Sequence, residues 1–174
     1  MSREHHGDLP TPFILRAMTA ADEPFVALVY IASRAEELAV TGWPEEQKQS
    51  FLRQQHEAQR LHYRQHYEGA EWLIIESGGR PVGRLYRAEW PREIRIMDVS
   101  LLPQARGRGI GTRILQDIQQ EGATRGKAVS IHVEKNNPAW RLYARLGFEV
   151  VEYKGVYDLM EWRPAQGDQQ KIAS

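Results

Sequence analysis

In the stretch Leu101-Leu102-Pro103-Gln104-Ala105-Arg106-Gly107-Arg108-Gly109-Ile110-Gly111-Thr112, an apolar strand end gives way to three glycines at alternate positions. A helix follows at once, with Ile110, Ile114, Leu115 and Ile118 along one face. Glycines let a backbone turn tightly and let a ligand approach the main chain. The first amides of a helix have no internal acceptor and point outward beside the positive end of the dipole. A strand–loop–helix junction of this kind is an anion site suited to a pyrophosphate, and Arg106 and Arg108 add positive charge. The dinucleotide fingerprint is not met, because its third glycine position holds Thr112, and no Gly-Lys-Ser/Thr completes a phosphate loop. A tight turn with no ligand is the plain alternative.

Working outward, 93–102 reads as the strand feeding the junction. Upstream, 71–76 and 81–90 flank Ser77-Gly78-Gly79-Arg80 as a hairpin. Downstream come a strand at 128–133, a short helix over 138–146 ended by Gly147, and a second hairpin, 148–153 with 156–162. At the front, 13–16 suits a strand, and Thr19 suits the cap of a helix over 20–35 facing inward through Phe25, Leu28, Val29 and Ala32. Trp43-Pro44 opens a second helix running to about Tyr67, whose apolar positions (Phe51, Leu52, Ala58, Leu61) are sparse. The order βαα-βββ-αβ-αββ predicts a single-domain α/β fold on a mixed sheet of six to seven strands with about four helices. Residues 1–12 read as a flexible lead, 13–163 as the domain and 164–174 as a polar tail.

Composition narrows the function. At 174 residues, 41% hydrophobic and 26% charged, the chain is an ordinary globular domain. Its 23 basic and 23 acidic residues balance, which argues against a dedicated nucleic-acid binder. The chain contains no cysteine, so disulfides, thiolate metal sites and a cysteine nucleophile are excluded. No run approaches the roughly 20 apolar residues that span a bilayer, and Met1–Pro12 has charges without an apolar segment behind them. The expectation is a cytoplasmic protein that binds neither nucleic acid nor membrane. His62 and His66 stand at metal-ligand spacing, but Tyr63-Arg64 replaces the expected glutamate, so a hydrated helix face is expected and no metal.

Arg106-Gly107-Arg108-Gly109-Ile110-Gly111 resembles the Arg/Gln-x-x-Gly-x-Gly/Ala motif of the GNAT acetyltransferase superfamily, with Leu101-Leu102-Pro103 ahead of it at the usual spacing. About 30 residues on, Asn136-Asn137-Pro138-Ala139-Trp140-Arg141-Leu142-Tyr143-Ala144-Arg145-Leu146-Gly147-Phe148 resembles the second motif of that family, Asn-x-x-Ala-x-x-x-Tyr-x-x-x-Gly-Phe. Residues 36–67 match nothing general in the family.

The resemblance implies acetyl-coenzyme A as co-substrate and a splay between the two central parallel strands, here 93–102 and 128–133. It implies that the amides of Arg106, Gly107, Arg108, Gly109, Ile110, Gly111 and Thr112 hold the pyrophosphate. Main-chain groups of Val99 and Leu101 on a bulged strand would meet the pantetheine arm, with the Val99 amide facing the developing oxyanion. Asn136 would bond the same arm, or merely help Asn137 cap the helix. Tyr143 matches the general-acid position that protonates the leaving thiolate, though its spacing with Ala139, Leu142 and Leu146 also fits plain core. Glu93 occupies a strand position where some members carry a basic glutamate, and Arg95 beside it would weaken it. Asp98, Glu71 or a water chain are the alternatives for the base.

The acceptor is expected to be a small-molecule or peptide amine. Glu36, Glu37 and Trp43 stand where the cleft mouth is expected, to hold and cover a cationic amine, or are simply a helix end with exposed acids, and Tyr63 and Tyr67 either pack on the sheet or line that cleft. A non-catalytic coenzyme A-binding sensor, or another kind of nucleotide-binding domain, are the rival functions. Unpaired hairpin edges are compatible with a homodimer.

Overall fold

The computed structural model describes residues 11–166; of the expected lead and tail, 1–10 and 167–174 lie outside the described residues. The chain runs β1 (Ile14–Ala17), a 3-10 turn (Ala20–Asp22), α1 (Glu23–Ala39), α2 (Glu45–His66), β2 (Glu71–Ser77), β3 (Arg80–Glu89) and β4 (Glu93–Leu101). A second 3-10 turn (Pro103–Ala105) leads to α3 (Ile110–Arg125), β5 (Ala128–Glu134), α4 (Trp140–Arg145), β6 (Glu149–Lys154) and β7 (Tyr157–Trp162). The seven strands form one sheet in the order β1-β2-β3-β4-β5-β7-β6, and β4 with β5 is its parallel pair.

Two layers cover the sheet. Ile110, Ile114, Leu115 and Ile118 of α3, with Tyr143 of α4, pack on Leu85, Ile94, Ile96, Val129, Ile131, Val133 and Met160. α1 and α2 cover the opposite face. Gly122 lets α3 lie close on β5, since a Cβ there would meet the Lys127 carbonyl at 2.8 Å.

Two expectations for the helices need correction. α1 buries Val26, Val29 and Tyr30, whereas Leu28 is 59% exposed and Phe25 half-buried. The chain spends Ala20–Asp22 on a 3-10 turn pinned by the Thr19 amide on Asp22 (2.8 Å) and by Arg16 on Asp22 (2.8 Å), so α1 starts later and rotates. In α2 the buried positions are Leu52 and His56, with Tyr63 half-buried and Phe51, Ala58 and Leu61 exposed. Its inner face is aromatic and polar. Burial, and secondarily the charge of Arg84, hold the His56 pKa below its ordinary value, so the ring is neutral at physiological pH.

Candidate active site

The site forms where β4 and β5 separate. They pair in parallel from Glu93 with Ala128 to Ile96 with Ile131, and no further. Up to that point β4 is held by buried Ile94, Arg95 and Ile96; from Met97 to Leu101 it is only half-buried. At the same place β4 slips against β3, the register passing from Arg87–Ile96 to Tyr86–Asp98. Met97 is therefore a bulge residue, left without a strand partner on either side. Beyond it Gly83 admits the close approach of β4, because a Cβ there would stand 2.3 Å from the Ser100 carbonyl oxygen. The Leu102 amide donates to Val82 O (2.8 Å), and amides alternate in direction along a strand, so those of Val99 and Leu101 face the gap. The Leu101 carbonyl accepts from Arg106 Nε (3.1 Å).

Above the gap stands the glycine crook. Gly107 and Gly109 take φ of +74° and +83°, a region that costs any residue with a Cβ about 1–2 kcal/mol. Gly109 is the N-cap of α3. Among the described residues no protein acceptor takes the amides of Gly107, Arg108, Gly109, Ile110, Gly111 or Thr112. Arg106 departs from expectation: its amide is closed onto Pro103 O (3.2 Å) by the 3-10 turn, which leaves its side chain to contribute charge. Six free donors beside a helix N-terminus, flanked by exposed Arg106 and Arg108, fit the diphosphate of a coenzyme A molecule.

α4 buries Tyr143 in the core beside Phe148, near enough to β4 for the Asp98 charge to act on it. A six-residue helix has little stability of its own, and buried polar groups pin both its ends. Trp140 Nε1 donates to Asp158 Oδ2 (3.2 Å), and Gln119 Nε2 donates to Leu146 O (2.8 Å). Asn137 Oδ1 accepts from the Ala139 amide (2.9 Å), which ties the turn ahead of α4, and no side chain caps the helix itself. Asn136 is exposed in the turn after β5, on a groove of about 400 Å³ lined also by Lys135 and Trp140. Tyr143 is 5% exposed, packs edge-on to Phe148, and its hydroxyl has no protein partner among the described residues. Burial, with the Asp98 charge adding to it, pushes the Tyr143 pKa well above that of an ordinary phenol.

Glu93 is not brought to the gap. It sits at the closed end of the β4–β5 pair, six residues or roughly 20 Å of strand from Val99. There it accepts from Ser130 Oγ (2.5 Å) and lies 3.7 Å from Arg95, so its environment is that of a structural ion pair. Asp98 lies nearer, but Arg84 Nε (2.6 Å) and Ser100 Oγ (3.0 Å) both donate to it. His132 is the first β5 residue past the last pair, and Arg95 Nη1 approaches its Nδ1 at 3.4 Å. Burial first and Arg95 second lower its pKa.

The expected acceptor residues spread out. Trp43 packs edge-on to Phe51 at 5.4 Å, Glu36 is exposed, and Glu37 lies 3.5 Å from Arg34, which also binds Glu134 (2.8 Å). Tyr67 stacks on Trp90 at 6.0 Å, and Tyr63 packs on the sheet against Trp72 and Tyr86. His66 Nδ1 lies 2.9 Å from the His62 carbonyl, a helix-surface contact. Arg84 carries a signal: a charged residue amid Val82-Gly83-Arg84-Leu85-Tyr86 must have a charged partner, here the half-buried Asp98.

A bulged, parting parallel pair beneath a glycine-turned helix N-terminus is the arrangement that the resemblance to acetyl-coenzyme A-dependent transferases implies. The family model described as Acetyltransferase (GNAT) family matches residues 33–148, well over half of the chain, and the chain belongs to that family. As a member it is an N-acetyltransferase that uses acetyl-coenzyme A. Solved structures share the fold. A PaiA N-acetyltransferase from Thermoplasma acidophilum in complex with coenzyme A aligns with TM-score 0.67 at 18% identity, covering 87% of this chain and 99% of that one. A GCN5-related N-acetyltransferase from Rhodopseudomonas palustris gives 0.64 at 21% identity, over 89% and 98%. The ribosomal-protein-S18-alanine N-acetyltransferase from Escherichia coli gives 0.57 at 16%, over 91% and 98%. No curated protein matches the sequence. Among the described residues no helix is long and apolar enough to cross a membrane.

Proposed function

We propose that the chain moves the acetyl group straight to a primary amine, without an acyl-enzyme, using Gly107–Thr112, Val99 and Tyr143 as its working groups. The observation that carries this reading is that six unpaired amides and two strand amides turned off the β3 ladder lie where β4 and β5 part, with the buried phenol of Tyr143 near enough for the Asp98 charge of β4 to act on it. Acetyl-coenzyme A, when bound, supplies an activated thioester. The amides of the crook hold the diphosphate, and the Leu101 amide and Asn136 steady the pantetheine arm. The Val99 amide, fixed before the reaction starts, donates to the carbonyl oxygen as negative charge builds there.

Tyr143 keeps its proton throughout the neutral range, since burial raises its pKa. Its O–H donates to the departing sulfur and gives up the proton as the C–S bond breaks. The surplus proton on the new amide nitrogen restores it. Asp98 is committed to Arg84 and Ser100, and Glu93 to Ser130 and Arg95, so the acceptor ammonium sheds its first proton to solvent rather than to Glu93. Activity then climbs with pH toward the acceptor's own pKa.

The acceptor enters from the face covered by α1 and α2. Thiol release on mixing protein, acetyl-coenzyme A and a panel of small amines, an aminoglycoside, a peptide with a free N-terminus and a lysine peptide tests the reading. Release with one class identifies the acceptor class. Stabilisation by coenzyme A with no release from any amine would leave a binding module instead.

A further inference from the structure

The bulge at Met97 has an attachment outside the sheet. With no strand partner on either side, its carbonyl accepts from Tyr63 Oη of α2 at 3.2 Å. Tyr63 is held rigidly for this contact, edge-on to Tyr67 (83°) and Tyr86 (87°) and tilted against Trp72. One helical turn earlier, Gln59 Oε1 accepts from Arg84 Nη2 (2.8 Å), and Arg84 Nε donates to Asp98 (2.6 Å). α2 therefore grips both residues of the bulge, Met97 directly and Asp98 through Arg84. Val99 is the next residue along. A bulge re-aims the groups that follow it, and its own curvature depends on what holds the extra residue.

We propose that Tyr63 is a positioning residue for acetyl transfer: its hydroxyl fixes the Met97 carbonyl, and through the bulge it aims the Val99 amide at the thioester oxygen. This rests on the oxyanion role given to Val99 above. It also gives α2, which lies within the residues the family model matches although its sequence shows no motif of the family, a function in the chemical step. Tyr63 touches no reacting atom; it acts through the strand. Arg84, itself bonded to Gln59, holds Asp98, the second bulge residue, so loss of Tyr63 alone loosens the bulge without releasing it.

The test is Tyr63→Phe, which keeps the ring and its packing and removes only the hydroxyl. Acetyl-coenzyme A carrying a 13C-labelled carbonyl is bound to both proteins, and the carbonyl stretch is read by isotope-edited infrared spectroscopy. In the wild type a donating Val99 amide lowers that frequency relative to free acetyl-coenzyme A. In Tyr63→Phe the stretch returns toward the free value, kcat falls about tenfold, and KM for acetyl-coenzyme A stays within about twofold because the crook is untouched. An unchanged kcat, or a lowered kcat with the wild-type stretch retained, overturns the proposal. An unshifted stretch in the wild type overturns the Val99 role itself, and the proposal with it.

Discussion

The crook at Gly107–Thr112 leads into α3, which covers one face of the sheet, and α2 packs on the sheet through Tyr63; the two are built on opposite logic. The crook works through its main chain: two glycines at positive φ free six amides, and hardly any side chain is involved. α2 works through side chains that reach outward, Gln59 to Arg84 and Tyr63 to Met97, while its backbone is an ordinary helix. A backbone site depends on where glycines can stand, and so it leaves a fixed spacing in the sequence. A side-chain site depends on partners 25 to 34 residues away, and leaves none.

The sharpest way to break this contrast is at the tyrosine on which the crook's ligand converges. Tyr143→Phe is expected to lower kcat about 100-fold with KM for acetyl-coenzyme A little changed, as measured by steady-state thiol release. Its thermal stability should hold, because the hydroxyl has no protein partner among the described residues. A variant that keeps full turnover would remove the phenol from the mechanism.

Gly109→Val comes next. Nothing lies within 4 Å of an added Cβ, so any effect must arise from the φ of +83° alone. KM for acetyl-coenzyme A should rise about tenfold as the first amides of α3 turn away. Wild-type binding by titration calorimetry would show that the crook does not depend on its glycine geometry.

Glu93→Gln sharpens the contrast from the side of the sheet. The carboxylate belongs to the Ser130–Arg95 cluster at the closed end, so kcat and its pH profile should stay within about twofold. Melting should fall by a few degrees instead, on the order of 1 kcal/mol for a weakened hydrogen-bonded ion pair. A flattened alkaline limb in the pH–rate profile would restore Glu93 as the base.

The smallest effect concerns acid. Lys127 first and Arg125 second lower the Glu89 pKa from its ordinary value to about 2, and Arg16 depresses Asp22 as well. Groups with a depressed folded pKa add stability that is complete above the ordinary carboxylate range and fades as pH falls toward about 2. Glu89 is well solvated, so Glu89→Gln should alter the melting temperature at neutral pH by no more than about 2 °C and flatten its acid limb. An acid limb identical to wild type would dismiss the contribution.

The same contrast explains what could be read in advance. All seven strands and the order of the helices followed from periodicity and glycine turns, and the parting of β4 from β5 from the family resemblance that two spaced motifs carry. The faces of α1 and α2 did not. A 3-10 turn at Ala20–Asp22 shifts the start of α1, and α2 buries His56 and half-buries Tyr63, residues that hydrophobic periodicity counts as polar or neutral. Within the site, the loss of the Arg106 amide to Pro103 depends on a local turn that glycine spacing does not report. Glu93 was placed by counting along a strand, and counting does not reveal where that strand stops pairing.

The most direct measurement is an amide titration of 15N-labelled protein with coenzyme A. The amide resonances of Gly107, Gly109, Ile110, Gly111 and Thr112 should move together and saturate with one affinity, with that of Arg106 shifting least, because its N–H is already bonded to Pro103. Coenzyme A that binds elsewhere and leaves those five resonances in place would contradict the account.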